Sequence, residues 1–406
     1  MKKLLCVLVC VILALPLCVA EESGKAYDEY DSLCGLAEKY GFKIGICLSA
    51  SQLSDKEYLS LLARHFNTLT CTNETKAYSM LDQKACKNSE DGMPRMNYTT
   101  ADKMLAWAQE NGVAVRGHVL VWDAYMTTWF FHEDYDDSKP FADQETMRAR
   151  VKSYIEQVIT HFETEFPGLI YCWDVVNEAI GDSAGEYDPY DPRHVRTMRN
   201  GESNPFVDYV GTDYIEYAFL CAKDTVEALG ADIKLFYNDY NMFYSSKLDP
   251  ACKLIESINT YATDENGEYR TLIDGIGMQG YIGGYGEQNG CLNTGDITRI
   301  ANAIRKYASY GLEVQLTEMA VRNYELDKAV EHAEFYAKLF EMFMSINTEE
   351  SAPLTAVTIW GVNDIPVMNN WNMYSWKLNS PYGGLLTEKN KIKTSFEAVY
   401  NVLKGE

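Results

Sequence analysis

The fold of this chain is indicated most directly by residues 169–178, which read LIYCWDVVNE. The stretch is rich in aromatic and β-branched residues, as a buried strand is, and it ends in the polar pair Asn177 and Glu178. Similar runs recur along the chain, with longer segments of helical periodicity between them. The predicted strands are residues 42–48, 66–71, 113–121, 169–176, 232–238, 272–279, 312–317 and 354–360.

The clearest helical segment runs from Asp296 to Tyr310, where apolar residues repeat at i, i+3 and i+4. Asp296 can cap its start, and Gly311 can end it. Strands that alternate with helices imply a parallel sheet, because parallel neighbours need a crossover connection. Eight such units predict a single (β/α)8 TIM barrel.

In such a barrel the reacting groups project from the C-terminal ends of the strands. A lone histidine or tryptophan would be read as ordinary core packing, but here polar and aromatic residues follow several predicted strands. Sugars need amide and carboxylate hydrogen bonds together with aromatic faces, so the pattern predicts a carbohydrate cleft. These residues are His118, Trp122, Asn177, Glu178, Tyr240, Gln279, Tyr281, Glu318 and Trp360.

Glu178 and Glu318 follow the fourth and seventh predicted strands, whose ends meet at the same barrel mouth. Glycosidic cleavage needs one carboxylic acid to protonate the leaving oxygen and one carboxylate to attack or to activate water. The alternative is that each glutamate only pairs with a barrel-mouth Arg or Lys.

Residues 1–20 have the basic start, apolar core and small-residue end of a secretory signal peptide. We therefore expect a secreted protein whose residues 21–406 form one catalytic barrel domain. A lipoprotein signal at Cys18 is the weaker alternative, because the bulky Leu17 precedes it. No later stretch has the roughly 20 apolar residues of a membrane helix, so no membrane attachment is expected.

The formal net charge is −23, which disfavours nucleic acid as a partner. The chain has neither a CxxC pair nor a phosphate-binding glycine loop, so we expect no metal and no cofactor. Cys47, Cys71 and Cys172 lie in strand-like runs and are interpreted as small core residues. We expect a monomer whose partner is a polysaccharide.

Two motifs resemble those of glycoside hydrolase family 10, the xylanase family. WDVVNE at 173–178 resembles the acid/base motif of that family, and VQLTE at 314–318 resembles its nucleophile strand. Residues 116–118, 239–241, 275–280 and 358–361 also fall where the family has its corresponding strands. The resemblance covers most of residues 21–406.

The resemblance implies that Glu178 is the general acid/base and Glu318 the nucleophile of a retaining double displacement. Asn177 would then bind the sugar 2-hydroxyl. Asn73 and Lys76 resemble the glycone-binding Asn and Lys of the family, although Asn73 also starts an N-glycosylation pattern.

Other positions match the sugar contacts of the family less uniformly. Trp371 and Trp376, in the loop at 362–382, are both candidates for the second cleft tryptophan of the family, and Trp376 is favoured because Ser375 precedes it as in the family's Ser-Trp pair. His118, Trp122, Gln279 and Trp360 also match sugar-contacting positions, and Tyr240, within the matching segment 239–241, is expected to bind substrate as well.

Four positions depart from the family. Asp123 and Tyr125 replace a His and a Gln beside Trp122, and Tyr281 and Ala320 replace the His and Asp that support the nucleophile. Loss of both supporting residues avoids leaving one of them buried and unpaired, which would cost about 1–3 kcal/mol. We expect Tyr281 to donate its hydroxyl to Glu318, and Asp123 to alter the glycone preference.

The sequence thus predicts a retaining endo-β-1,4-xylanase or a close relative that acts on another β-linked polymer. The alternative is a sugar-binding barrel with impaired catalysis, which the replaced His and Asp would explain.

Overall fold

A computed structural model describes residues 24–182, 188, 191, 203–283, 292–323, 325–364 and 381–406. The predicted signal peptide and Trp376 lie outside these ranges. No helix in the described parts of the chain is long and apolar enough to cross a membrane.

Strands and helices alternate through most of the chain. The strands are β1 (Lys43–Leu48), β2 (Thr68–Cys71), β3 (Ala114–Gly117), β4 (Ile170–Asn177), β5 (Lys234–Asp239), β6 (Gly275–Met278), β7 (Tyr281–Ile282), β8 (Glu313–Val321) and β9 (Leu354–Ile359). The helices are α1 (Leu33–Glu38), α2 (Lys56–His65), α3 (Ala77–Met80), α4 (Gln83–Lys87), α5 (Thr99–Glu110), α6 (Gln144–Glu165), α7 (Pro205–Tyr209), α8 (Tyr214–Leu229), α9 (Ser245–Thr260), α10 (Gly295–Ala308), α11 (Ala329–Glu349) and α12 (Thr394–Lys404).

All strand pairings in the described sheet are parallel, and the sheet closes on itself. Strands β1 to β6 pair in sequence, β6 pairs with β8, β8 with β9, and β9 returns to β1. Each crossover is long enough to carry a helix, as parallel neighbours require. The predicted (β/α)8 TIM barrel is confirmed.

Two strand ends differ from the prediction by four residues, and the other strand bounds agree to within three. Strand β3 stops at Gly117 because the chain leaves the regular ladder at His118 and rejoins β4 only at Leu120, whose N–H donates to the Asp174 carbonyl at 3.0 Å. Strand β8 continues to Val321 because the two-residue strand β7 pairs with it above the barrel, Tyr281 opposite Ala320.

Helix α10 begins one residue earlier than predicted. Thr294 occupies the N-cap position, so Asp296 does not cap the helix but lies in its first turn, where a carboxylate is favoured by the helix dipole. Gly311 follows the helix at φ +79°, a conformation that glycine adopts without strain.

Strand residues point alternately into the barrel and toward the helices. Trp173 is fully buried on the outer side, where its ring lies 6.0 Å from that of Phe162 in α6. Cys71 and Cys172 are buried as predicted, whereas Cys47 is partly exposed.

A buried ion pair lies inside the barrel. Arg116 donates through both terminal nitrogens to Asp174, and its Nε donates to Gln315 Oε1 at 2.9 Å. Gly277 makes room for this group, because a Cβ there would lie 3.0 Å from the Arg116 Nη2 and 2.3 Å from Asn238 Oδ1. The axis is therefore packed and is not a pore.

Candidate active site

Glu178 lies directly after β4 at the C-terminal mouth of the barrel. Its backbone has φ +53°, and its N–H donates to the Asn238 carbonyl of β5 at 2.9 Å. The next two backbone N–H groups, of Ala179 and Ile180, both donate to the Tyr237 hydroxyl at 3.0 Å. The backbone that carries Glu178 is thus fixed by β5.

Glu318 lies within β8 and faces the same mouth. Its N–H donates to the Gln279 carbonyl at 2.8 Å. Its Oε1 accepts a hydrogen bond from Asn238 Nδ2 at 3.2 Å, and its Oε2 accepts one from the Tyr281 hydroxyl. The expected contact between Tyr281 and Glu318 is therefore present, and Tyr281 reaches it from β7, opposite Ala320.

A chain of amide side chains joins the two glutamates. Gln279 Nε2 donates to Glu178 Oε1 at 2.8 Å and lies 3.4 Å from Asn177 Oδ1. Asn238 Nδ2 is shared between Asn177 Oδ1, at 2.9 Å, and Glu318. Because both amides donate to the Asn177 oxygen, its Nδ2 is turned away from them. That buried nitrogen has no acceptor among the described residues.

Both carboxyl groups are buried, and burial is the largest influence on the pKa of Glu318. Glu178 is 8% exposed and Glu318 is 6% exposed. Burial raises the pKa of Glu318, and the Glu178 carboxylate adds to this, whereas His118, the Tyr281 hydroxyl and Lys76 oppose it. These neighbouring groups therefore favour the ionised form of Glu318 against the effect of burial.

The His118 side chain contacts a carboxylate inside the barrel. Its Nδ1 lies 2.8 Å from Asp174 Oδ2, so Nδ1 carries the proton and Nε2 faces the cleft. Burial alone would raise the pKa of Asp174, but Arg116 and His118 together hold it below the usual range. Asp174 therefore stays an anion and fixes the imidazole.

Lys76 and Asn73 approach from the loop after β2. The Lys76 ammonium donates to Asn73 Oδ1 at 3.1 Å and lies 4.9 Å above the Trp122 ring. Burial lowers the pKa of Lys76 to about 8, although the carboxylates of Glu318 and Glu178 oppose the shift. Lys76 is therefore close enough to the predicted catalytic pair to be influenced by both members.

The remaining predicted residues lie around this centre with one exception. The Trp360 and Trp122 rings meet His118 edge-on at 6.3 and 5.7 Å. The Tyr240 hydroxyl donates to Asp182 Oδ1 at 2.6 Å, on the Glu178 side of the mouth. Trp376 lies outside the described residues.

Four supporting residues were not predicted. The sequence does hint at a role for Asp174, because it is a charged residue inside an apolar strand. Asn238 and Asp239 are indicated in the same way by their position at the end of a predicted strand. Nothing in the sequence indicates a role for Lys247, because a lysine in a helix is usually solvated. Here its ammonium is buried and lies 3.1 Å from Asp239 Oδ2.

The arrangement offers acid and base groups, amide donors and aromatic rings. In the parts of the chain that the structure describes, no three His, Cys, Asp or Glu side chains are grouped to hold a metal ion.

Known proteins match this chain along most of its length. A putative endo-1,4-beta-xylanase of Caldicellulosiruptor saccharolyticus is 34% identical over 75% of this chain and 92% of its own length. Endo-1,4-beta-xylanase B of Butyrivibrio fibrisolvens is 31% identical over 90% of this chain, which spans only 52% of that relative.

A solved structure agrees with the fold. The crystal structure of CBM22-1 and GH10 modules of a Clostridium thermocellum xylanase, complexed with xylohexaose, superposes with a TM-score of 0.75 at 29% identity. It covers 93% of this chain and 69% of that chain. The family model for Glycosyl hydrolase family 10 matches residues 32–402. The chain therefore belongs to glycosyl hydrolase family 10.

Proposed function

We propose that this protein is a retaining endo-β-1,4-xylanase with Glu178 as general acid/base and Glu318 as nucleophile. Relatives named as endo-1,4-beta-xylanases, one of them matched over 92% of its length, support the substrate class. The two buried carboxylates at one barrel mouth support the reaction type, which needs a proton donor and a nucleophile on either side of one bond.

The observation that carries the proposal is the buried Nδ2 of Asn177. This donor lies in the amide chain between the two carboxylates and has no acceptor among the described residues. A buried donor without a partner costs about 1–3 kcal/mol, so its retention is explained by a ligand that accepts from it. A sugar 2-hydroxyl in the bound substrate supplies that acceptor, and such bonds strengthen in the transition state.

The reaction follows from these positions. Glu178 donates a proton to the glycosidic oxygen while Glu318 attacks the anomeric carbon, so the leaving sugar departs and a glycosyl ester forms. Because Glu178 Oε1 accepts from Gln279, the proton is better placed on Oε2. Glu178 then takes a proton from water, which attacks the anomeric carbon and releases Glu318.

We also propose an altered glycone preference. Asp123 is buried beside Trp122 and places a carboxylate where the family has an imidazole. A carboxylate accepts hydrogen bonds from sugar hydroxyls, whereas an imidazole both donates and accepts. Secretion belongs to the same proposal, since a polymer cannot enter the cell, and it rests on the signal-like sequence of residues 1–20.

A product profile tests the proposal. The mature protein is incubated with plain xylan, decorated xylans and mixed-linkage glucan, and the anomer of the first product is followed by NMR. We expect xylo-oligosaccharides with retained configuration, unequal rates on plain and decorated xylan, and a loss of at least about 1000-fold in Glu318→Ala.

The matched control is Glu313→Ala, which removes a glutamate from the opposite end of the same strand β8. Inverted products, or equal losses in the two variants, would contradict the assigned roles. Equal rates on plain and decorated xylan would contradict only the glycone preference.

The alternative, a binding barrel with impaired catalysis, makes a different prediction. A 2-fluoro-xyloside should leave a covalent adduct on Glu318 in an active retaining enzyme, detectable by mass spectrometry of the digested protein. Binding of xylo-oligosaccharides without any adduct or product would favour the alternative.

A further inference from the structure

A row of aromatic rings leads from the catalytic centre to the protein surface. Trp122 lies beside His118, and its ring centroid is 4.4 Å from that of Tyr125. The Tyr125 centroid is in turn 5.5 Å from that of Tyr78. Tyr78 lies in α3, two residues after Lys76, and is 42% exposed. The row thus starts within the cleft and ends in solvent.

Lys76 ties the inner part of this row to the cleft. Its ammonium lies 4.1 Å from the Tyr125 ring and 4.9 Å from the Trp122 ring, and it also donates to Asn73. The rings are therefore continuous with the residues assigned to the glycone side. Cation–π contacts of this kind hold the Tyr125 ring in place without covering Tyr78.

Tyr78 is poorly explained as a packing residue. Of the six large apolar side chains that are exposed among the described residues, Tyr78 is the one whose ring packs on Tyr125 beside the cleft. Tyrosine is suited to a contact surface, because its ring is broad and rigid and loses little conformational entropy on binding. The apolar face of a pyranose ring presents C–H groups that pack on such a ring.

We propose that Tyr78 and Tyr125 form an additional distal glycone subsite, which stacks one more sugar of the β-linked chain beyond Asn73, Lys76 and Trp122. This inference rests on the proposed function. Tyr125 stands where the family has a Gln, so an amide contact is replaced by a ring face. The subsite would bind a main-chain sugar whether or not it is decorated, because stacking depends on the face of the pyranose ring and not on its substituents.

The test compares substrates of different length. The ratio of kcat/KM for xylohexaose to that for nitrophenyl xylobioside is measured in the wild type and in Tyr78→Ala, since only the longer chain reaches the distal rings. We expect the ratio to fall about five- to tenfold in Tyr78→Ala, as for truncation of a partly exposed contact residue. Tyr78→Phe should preserve it, because the hydroxyl is not needed for stacking.

Tyr269→Ala is the matched control. Tyr269 is 66% exposed and lies between α9 and β6, on the opposite side of the barrel from the mouth, so its removal should leave the ratio unchanged. Thermal melting of each variant checks that the fold is intact.

The outcomes separate the two proposals. A wild type that cleaves neither substrate would overturn the proposed function. A wild type that cleaves both, with a ratio that Tyr78→Ala leaves as it was or lowers no more than Tyr269→Ala does, would overturn the distal subsite alone.

Discussion

Tyr281 donates its hydroxyl to Glu318, whose pKa is already raised by burial. Its removal in Tyr281→Phe takes away a donor to the ionised form, so the pKa of Glu318 should rise further. In its proposed role as nucleophile Glu318 must be an anion, so the acid limb of the kcat/KM profile should shift upward by about one pH unit. Rates on the acid side of the profile should fall by up to about tenfold, with a smaller loss toward neutral pH.

Tyr307→Phe is the control for this shift. It removes another buried tyrosine hydroxyl, which donates to the Met242 carbonyl at 2.8 Å, without touching a carboxylate. The control should lower the melting temperature and leave the acid limb in place. An acid limb that stays fixed in Tyr281→Phe as well would mean that the hydroxyl does not support the nucleophile.

Glu216 is a buried carboxyl outside the active site. It lies in α8 and accepts from the Ser257 hydroxyl of α9 at 2.6 Å, while its Oε2 has no hydrogen bond among the described residues. Burial raises the pKa of Glu216 to about 7 from an ordinary 4.5. The folded state therefore holds this proton more tightly than the unfolded state does.

Because the folded and unfolded states bind this proton with different affinity, the free energy of unfolding depends on pH. The contribution of Glu216 to stability is greatest below about pH 4.5, falls as the pH rises toward 7, and is about 3 kcal/mol smaller at higher pH. Glu216→Gln removes the ionisation, so its melting temperature should exceed that of the wild type at pH 8 but not at pH 5. Calorimetry at both values measures this.

Glu334→Gln, at an exposed position of α11, is the comparison for Glu216. It should show no gain at pH 8. A Glu216→Gln variant whose melting temperature tracks that of the wild type at every pH would contradict the buried, proton-holding state.

At the scale of elements, Lys247 joins three segments behind Glu178. Its ammonium, carried by α9, lies 3.1 and 3.2 Å from the two Asp239 oxygens of β5 and donates to the Ile180 carbonyl, two residues past Glu178, at 2.6 Å. Burial raises the pKa of Asp239 to about 6, Lys247 opposes this, and Glu178 adds to it. We therefore expect Lys247 to position the segment that carries Glu178, the proposed acid/base.

Lys247→Met should impair proton donation by Glu178 to the leaving group more than attack by Glu318 on the anomeric carbon. We expect kcat/KM for xylo-oligosaccharides to fall about tenfold or more, whereas an aryl xylobioside with a good leaving group, which needs little acid assistance, should lose much less. The measurement is the dependence of rate on leaving-group pKa, which should become steeper.

Lys393→Met provides a matched loss of a buried ion pair. Lys393 lies 2.6 Å from Asp364, between the segment after β9 and the start of α12, away from Glu178. Breaking a buried pair costs about 3–5 kcal/mol in either place. Only Lys247→Met should steepen the leaving-group dependence, and equal slopes in the two variants would make Lys247 a structural residue only.

The elements themselves show what a sequence can and cannot predict. Strand β4 was predictable because its apolar, β-branched run is long and ends abruptly in Asn177 and Glu178. Strand β7 was not, since two residues give no periodicity. The role of Lys247 was also hidden, because its partners belong to other elements and a helical lysine is ordinarily solvated.

At the scale of the whole molecule, the barrel followed from the alternation of strands and helices, since closure needs only eight parallel units. Contacts at the mouth were harder to predict. The order of Glu178, Gln279, Asn177, Asn238 and Glu318 along one hydrogen-bonded chain joins residues up to 140 positions apart. The sequence predicts that these residues meet at one mouth. Which side chain donates to which depends on the side-chain directions in the folded protein, and these are not encoded in a local sequence pattern.

The ion pair of Arg116 and Asp174 has a consequence for how a polymer meets this protein. Because the pair lies packed inside the barrel, a long chain cannot thread through the molecule, and an endo-acting enzyme of the kind we propose would bind it across the mouth. Such binding needs no chain end, so any stretch of a polymer is an equivalent starting point. A viscous xylan solution would then thin early, when few bonds have been cut and little soluble sugar has accumulated.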